Sequence, residues 1–393
     1  MQRRQFLLQL GAAQFAAAQS RSAGKHYLVY WGTYTAGGPR YGTGESKGIY
    51  VSRLDGATGK LTAPELAVET ANPSYLAIAP SSRFLYSVNE HIDPEGKVLG
   101  EVSAFAIDRK TGRLTLLNRV ASRGGMPCHI CTDRTGRTVA VANWSTGSTA
   151  AFPVRSDGSL GECTSFYQHA GERSGAPAGA PPPQVHCHAV VVSPDNRFLI
   201  ATDTGLNKVF VHQLDAARAT FTPHDPPFLG IQAQVNPRHI VFHPNARWAY
   251  VANEAGPGCT FLRYDAKAGS FAEVSVTRTI PPDVTTRATP AEAVLHPSGN
   301  YVFVSNRGHD SIAVLRIDPA AGTLTLVEAF GPGGSGPRSF NVDPSGQWLF
   351  ALMQRSNTIV PLRFDTAAGK LSPAGDTLSL PSPVCVKFVE AAG

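Results

Sequence analysis

The chain has 393 residues, is 42% hydrophobic and 16% charged, and carries a formal net charge of +6. That balance suits a globular protein and excludes a disordered one, and no stretch is apolar for long enough to span a bilayer. The mild, unclustered positive charge argues against nucleic acid as a partner.

Residues 1–20 (MQRRQFLLQLGAAQFAAAQS) stand apart from the rest. Paired Arg3 and Arg4 precede Phe6, Leu7 and Leu8, and a short apolar run ends in alanines at 16–18. This is the layout of an export signal peptide, and the arginine pair before Phe-Leu resembles a twin-arginine signal. The mature chain is expected to begin near Gln19, to be periplasmic or extracellular, and to have no membrane attachment once the signal is removed.

From Pro73 onward one unit recurs: strand, tight turn, strand. It starts at Pro73 (PSYLAIAPSSRFLYSVNE), Pro127, Cys187, Pro237, Pro290 and Pro337, and its first strand alone returns at Pro383 (PVCVKFVE). Start-to-start spacings are 54, 60, 50, 53, 47 and 46 residues. A period near fifty with several short strands per unit is the signature of a β-propeller. The seventh unit has room for one strand only, and its missing partners lie at the other end of the chain. Residues 26–35 (HYLVYWGTYT) read as a second strand and 48–55 (GIYVSRLD) as a third. The latter matches 101–108 (EVSAFAID), and both are followed by a T-G-[KR]-L turn. The expected fold is all-β: one seven-bladed β-propeller domain over residues 26–390, its ring closed by N-terminal strands pairing with the C-terminal strand. Closure of this kind removes exposed sheet edges.

The repeat also locates a candidate site. With the turn at the ninth and tenth residues of each unit, antiparallel pairing sets the second residue opposite the seventeenth. All units then present side chains at one end of the ring. The second-residue slot holds Ser74, Cys128, His188, Arg238, Ala291, Arg338 and Val384. The ends of the second strands hold Asn89-Glu90, Asn143-Trp144, Asp203-Thr204, Asn253-Glu254, Asn306-Arg307 and Met353-Gln354. Asn or Asp at a strand end commonly caps the adjoining turn. The arginines occur in only some units, so the repeat does not require them, and converging arginines recognise carboxylate or phosphate.

Other signals are weaker. The six cysteines, among them Cys128 and Cys131 three apart in one strand, are expected to be buried free thiols. The third-residue histidines His129 and His239 are expected to point away from the basin, into blade packing. No G-x-S-x-G nucleophile elbow is present, and the Gly333–Gly336 cluster lacks the lysine and helix of a phosphate loop. His186 and His188 with Asp203 would make a possible metal set, but only His188 sits in the site slot, so neither metal nor cofactor is expected.

The segments SKGIYVSRLD, VANWSTGS, SPDNRFL, NPRHIVFHPNARWAYVANE and SNRGHDSIAV resemble the seven-bladed lactonase family. That family includes the propeller-type bacterial 6-phosphogluconolactonases and the fungal carboxymuconate-cyclising enzymes. The resemblance covers about residues 26–390. The cyclising enzymes use a histidine, two arginines and a glutamate, which by position correspond to His188, Arg238, Arg307 and Glu254. All four fall in slots that the hairpin argument reaches independently. Arg338, Glu90, Asn143, Asn253 and Asn306 are the remaining candidates, as substrate-binding groups. Two departures stand out: residues 171–184 (GERSGAPAGAPPPQ) are Pro/Ala-rich where the family carries a polar, Arg-containing loop, and the export signal does not suit a pentose-phosphate enzyme.

The resemblance implies a lactone hydrolase with a small-molecule substrate, and the chain is expected to act as a monomer. It would open a sugar lactone or related small anionic lactone by metal-independent water attack. Either His188 or Glu254 can be the base; two arginines beside Glu254 would keep it ionised and weakly basic, which favours His188. The alternatives are muconate lactonisation, a metal-dependent gluconolactonase using Glu90, Asn143 and Asp203, and a non-catalytic binding propeller.

Overall fold

The computed structural model describes residues 24–90, 100–177, 179–232 and 234–392; the expected signal peptide lies outside them. Among the described residues, strands fall into seven antiparallel sheets, six of four strands and one carrying an extra short strand, plus a two-stranded hairpin. Blades 1 to 6 follow chain order, with innermost strands Leu76–Ile78, Pro127–Thr132, Cys187–Val192, Pro237–Phe242, Thr289–Leu295 and Pro337–Val342. Blade 7 is shared: Pro383–Glu390 is innermost, followed outward by His26–Thr33, Gly48–Asp55 and Glu65–Glu69. Tyr27 pairs with Glu390 and Thr33 with Pro383, so the two ends of the chain close the ring as the split repeat required.

The hairpin turns explain why the unit repeats so faithfully. In blades 2 and 6 an aspartate ends the first strand and collects the turn's amides. Asp133 Oδ1 accepts from Arg137 and Thr138, and Asp343 Oδ1 from Gln347 and Trp348, at 2.7–3.0 Å. A carboxylate that satisfies two otherwise orphaned N–H groups fixes the reversal through contacts local in sequence.

The core lies between blades rather than within one. Tyr250 and Phe261 of blade 4 pack on Val302 and Val304 of blade 5, and Trp31 and Val29 of blade 7 pack on Phe350 and Leu352 of blade 6. Strands with apolar groups on both faces are what such face-to-face stacking demands. All six cysteines are free, with Cys128, Cys187, Cys259 and Cys385 buried.

The register departs from the regular hairpin by one residue, and this matters for the site. In blade 4 Pro237 pairs with Asn253, but His239 pairs with Ala252, so Arg238 is an extra residue bulging from the strand. The same bulge falls at Cys128, His188, Arg338 and Val384. The first residue of the unit, not the second, therefore faces the seventeenth. A bulge breaks strict alternation and re-aims side chains, so the third-residue groups also leave the strand toward the axis. The expectation that His129 and His239 point into blade packing is thereby corrected. Tyr75 of blade 1 stacks on His129, and its hydroxyl lies 3.4 Å from Glu292 of blade 5, a contact possible only across the central channel.

Candidate active site

Four groups from blades 3, 4 and 5 meet at one mouth of the channel. The Arg307 Nη2 donates to Glu254 Oε1 at 2.7 Å, and Arg238 Nε lies 3.5 Å from the same oxygen. His188 lines the same cavity, its ring 5.3 Å from that of His239, which follows Arg238 in sequence. The bulges at His188 and Arg238 aim both side chains inward, while Glu254 stands just past the end of its second strand and Arg307 is the last residue of its own. Arg307 is further held by the Thr289 and Pro290 carbonyls, which accept from its Nε and Nη2.

The electrostatics divide these groups by role. Burial would push the Glu254 carboxyl up, but Arg238 and Arg307 overcome it and hold it below the usual range, so Glu254 is ionised. Arg307 is lowered to about 10, first by burial and then by Arg238 nearby, and remains protonated at neutral pH. His188 is driven well below 6.5, chiefly by burial and then by Arg238, His239 and Arg338. At neutral pH the mouth thus holds a neutral imidazole, an anchored carboxylate and fixed guanidiniums. Together these can bind an anion, stabilise an oxyanion and accept a proton.

Above this cluster is a cavity of about 560 Å³. Arg338 lines it from blade 6, its guanidinium 5.3 Å from the Tyr34 ring. Glu90 is fully buried at the edge: its Oε2 accepts from Tyr34 at 2.9 Å, and its Oε1 faces Arg40 at 3.8 Å with no hydrogen-bond partner among the described residues. Arg40 is a site residue that sequence reasoning missed. It rides on the hairpin Gly37–Gly38 and Gly42–Thr43, an insertion between two strands of blade 7. Gly38 and Gly42 adopt φ of +125° and +117°, open only to glycine, so the hairpin can fold over the mouth. Its root is tied to Asn72, whose Oδ1 accepts from the Thr35 and Ala36 amides, and its tip by Gln354, which donates to the Arg40 carbonyl. The Arg40 guanidinium lies on Trp144, 4.4 Å from the ring centroid, and Trp144 stacks in turn on His186 at 4.0 Å. The signal available in the sequence was the Gly-rich PRYGTG segment, which lies outside the repeat.

The three asparagines do not line this cavity. Asn143 donates to the Ser122 carbonyl and Ser148, Asn306 to the Thr279 carbonyl and Ser311, and Asn253 accepts from Thr260. Each side chain ties its second strand to the third or to the preceding loop, the capping role open to such residues, and none is carried further as a substrate contact. Nor does the fold assemble Glu90, Asn143 and Asp203 as oxygen ligands. Asp203 is committed to His169, 2.8 Å away, and to the amides of His186 and Leu206.

Residues 28–388 match the family Lactonase, 7-bladed beta-propeller. The chain is 34% identical over 369 residues to the 6-phosphogluconolactonase of Bacillus subtilis, covering 92% of this chain and 98% of that one. It is 29% identical over 299 residues to the 6-phosphogluconolactonase of Pectobacterium atrosepticum, covering 76% and 82%. Among solved structures, the periplasmic gluconolactonase of Pseudomonas aeruginosa superposes with a TM-score of 0.83 at 30% identity, covering 93% of this chain and all of that one. The chain belongs to the seven-bladed β-propeller lactonase family.

Proposed function

We infer that this protein is a lactone hydrolase, acting on a small anionic or polyhydroxylated lactone bound at the guanidinium-rich mouth. The observation that carries the reading is the charge of the cavity: among the described residues, Arg40, Arg307, Arg338 and Arg355 line it against the one carboxylate of Glu254. Such a basin attracts an anion and offers paired donors to carboxylate or phosphate. The relatives named 6-phosphogluconolactonase and gluconolactonase support the reaction class.

In this reading the lactone carbonyl lies against Arg307, whose guanidinium is already rigid and loses little on meeting a developing oxyanion. Water adds to the carbonyl carbon and gives its proton to His188. His188 Nδ1 sits 3.8 Å from the Cys128 sulfur, which leaves Nε2 to serve the water. Collapse of the tetrahedral intermediate breaks the ring C–O bond, and the departing alkoxide takes the proton back from His188. Glu254 keeps Arg238 and Arg307 in place. Arg338 and Arg40 hold the anionic or hydroxylated part of the substrate. A divalent cation would be repelled by the guanidiniums, and the carboxylates nearby already have cationic or hydrogen-bonding partners, so hydrolysis is expected to proceed without one.

The test is acid release, followed by pH-stat, from glucono-δ-lactone, its 6-phosphate and a muconolactone, each with and without EDTA. Hydrolysis of at least one that is indifferent to the chelator is the expected result. No acid release from any lactone would favour a binding propeller, and activity lost to EDTA and restored by a divalent cation would refute the metal-independent route.

The first twenty residues add a proposal about location. Paired Arg3 and Arg4 before an apolar run support export of the folded enzyme to the periplasm or beyond. Replacing both with lysine is expected to retain full-length protein in the cytoplasm, read by fractionation and immunoblot; undiminished export would point to the general secretory route.

A further inference from the structure

Beneath the mouth, the channel is plugged by side chains that the hydrolytic scheme does not use. His239 Nδ1 lies 2.6 Å from Glu292 Oε1, and His239 Nε2 lies 3.3 Å from Arg238 Nη1. We propose that His239 and Glu292 are positioning residues for the lactonase site, holding the Arg238 guanidinium at the angle from which it meets Glu254. The proposal rests on the reading of Arg238 as part of that site.

The hydrogen-bond directions follow from donor chemistry. A guanidinium only donates, so His239 Nε2 must accept from Arg238, and the ring's single proton sits on Nδ1, donated to Glu292. Glu292 is ionised and well supplied with donors: Ser339 at 3.0 Å and the Tyr75 hydroxyl at 3.4 Å reach Oε2, while the Ala293 amide reaches Oε1 at 3.2 Å. Its charge fixes the imidazole tautomer, as a carboxylate behind a histidine does in metal and triad sites. His129 and Tyr75 meet the His239 ring edge-on, at 5.1 and 5.6 Å, and fix its plane.

Arg238 needs this support. Its side chain is 2% exposed, and its Nε makes no hydrogen bond among the described residues, lying 3.5 Å from Glu254. The acceptors that orient it are therefore at Nη1: the Ala291 carbonyl and His239 Nε2. Glu292, His239, Arg238, Glu254 and Arg307 thus form a continuous line from the axis to the mouth. Charges alternate along it on either side of the neutral imidazole.

A double-mutant cycle tests this, since residues that act through one another do not add. Arg238→Ala and His239→Leu are each expected to lower kcat/KM roughly 10- to 100-fold, the usual cost of a misplaced catalytic group. The double variant should be no worse than Arg238→Ala alone. His239→Gln, which can place a carbonyl oxygen where Nε2 accepts, should recover most of the loss. Glu292→Gln gives a second cycle with Arg238→Ala if the leucine variant does not fold. Losses that multiply in the double variant, or wild-type activity of His239→Leu and Glu292→Gln beside an impaired Arg238→Ala, would overturn the positioning role. Full activity of Arg238→Ala itself would instead sink the site reading on which it rests.

Discussion

Replacing His188 with alanine is expected to lower turnover by roughly 10²–10⁴-fold, the usual share of a general base, with little change in KM. The contrast is Arg307→Ala, which removes an interaction made with both bound substrate and transition state and so should mainly raise KM. The pH profile gives an independent reading. Burial, then Arg238, His239 and Arg338, drive the imidazole well below 6.5, so it is already deprotonated at neutral pH and loses its base form only as the pH falls further. The acid limb of kcat/KM, which reports free enzyme, should therefore lie below 6.5. A bound anion brings negative charge to the mouth and favours imidazolium, so the limb of kcat should shift upward. Wild-type turnover in both His188→Ala and Glu254→Ala would show that this basin is not where hydrolysis occurs.

The parts legible from sequence were those written in repeated pattern. Apolar alternation around the Ser81-Ser82 and Ser298-Gly299 turns is imposed by blades that stack on both faces, so the period alone yields the propeller. Because every unit turns at the same place, residues at equal offsets share one end of the ring, and this brought His188, Arg238, Glu254 and Arg307 together on paper. The one-residue bulge was not legible. It is a property of backbone pairing, and residues as different as Cys128, His188, Arg238 and Val384 occupy it, so no residue type announces it. Missing it sent His129 and His239 to the wrong side of the strand and hid the channel network. Arg40 escaped for the opposite reason: its hairpin is an insertion, and position within a repeat says nothing about a segment that does not repeat. The asparagines misled because a strand end near a site and a strand end that needs a cap look alike in sequence. What separates them is a hydroxyl partner five residues on, Ser148 for Asn143 and Ser311 for Asn306.

Deleting residues 383–393 is expected to abolish the cooperative fold rather than merely weaken it. Strand Pro383–Glu390 is the innermost strand of blade 7, registered against Tyr27–Thr33. Its loss removes the buried side chains Val384, Cys385, Val386 and Val389 and uncovers Leu28, Tyr30 and Trp31. Burying a single apolar side chain is worth about 1.5–3 kcal/mol, so these groups together rival the whole stability of an ordinary domain, about 5–15 kcal/mol. The damage extends to the mouth and the channel. Lys387 sits 4.5 Å above the Tyr75 ring, and Cys385 accepts from the Leu76 amide, so blade 1 loses its neighbour on that side. A ring held by contacts between successive blades has no independent half to retain, because the new edge strand His26–Thr33 would present unpaired amides and an apolar face to solvent. The truncated chain should therefore be recovered aggregated, or without a cooperative melting transition by circular dichroism and calorimetry. An unchanged transition in the truncated protein would show that the ring does not depend on pairing its two ends.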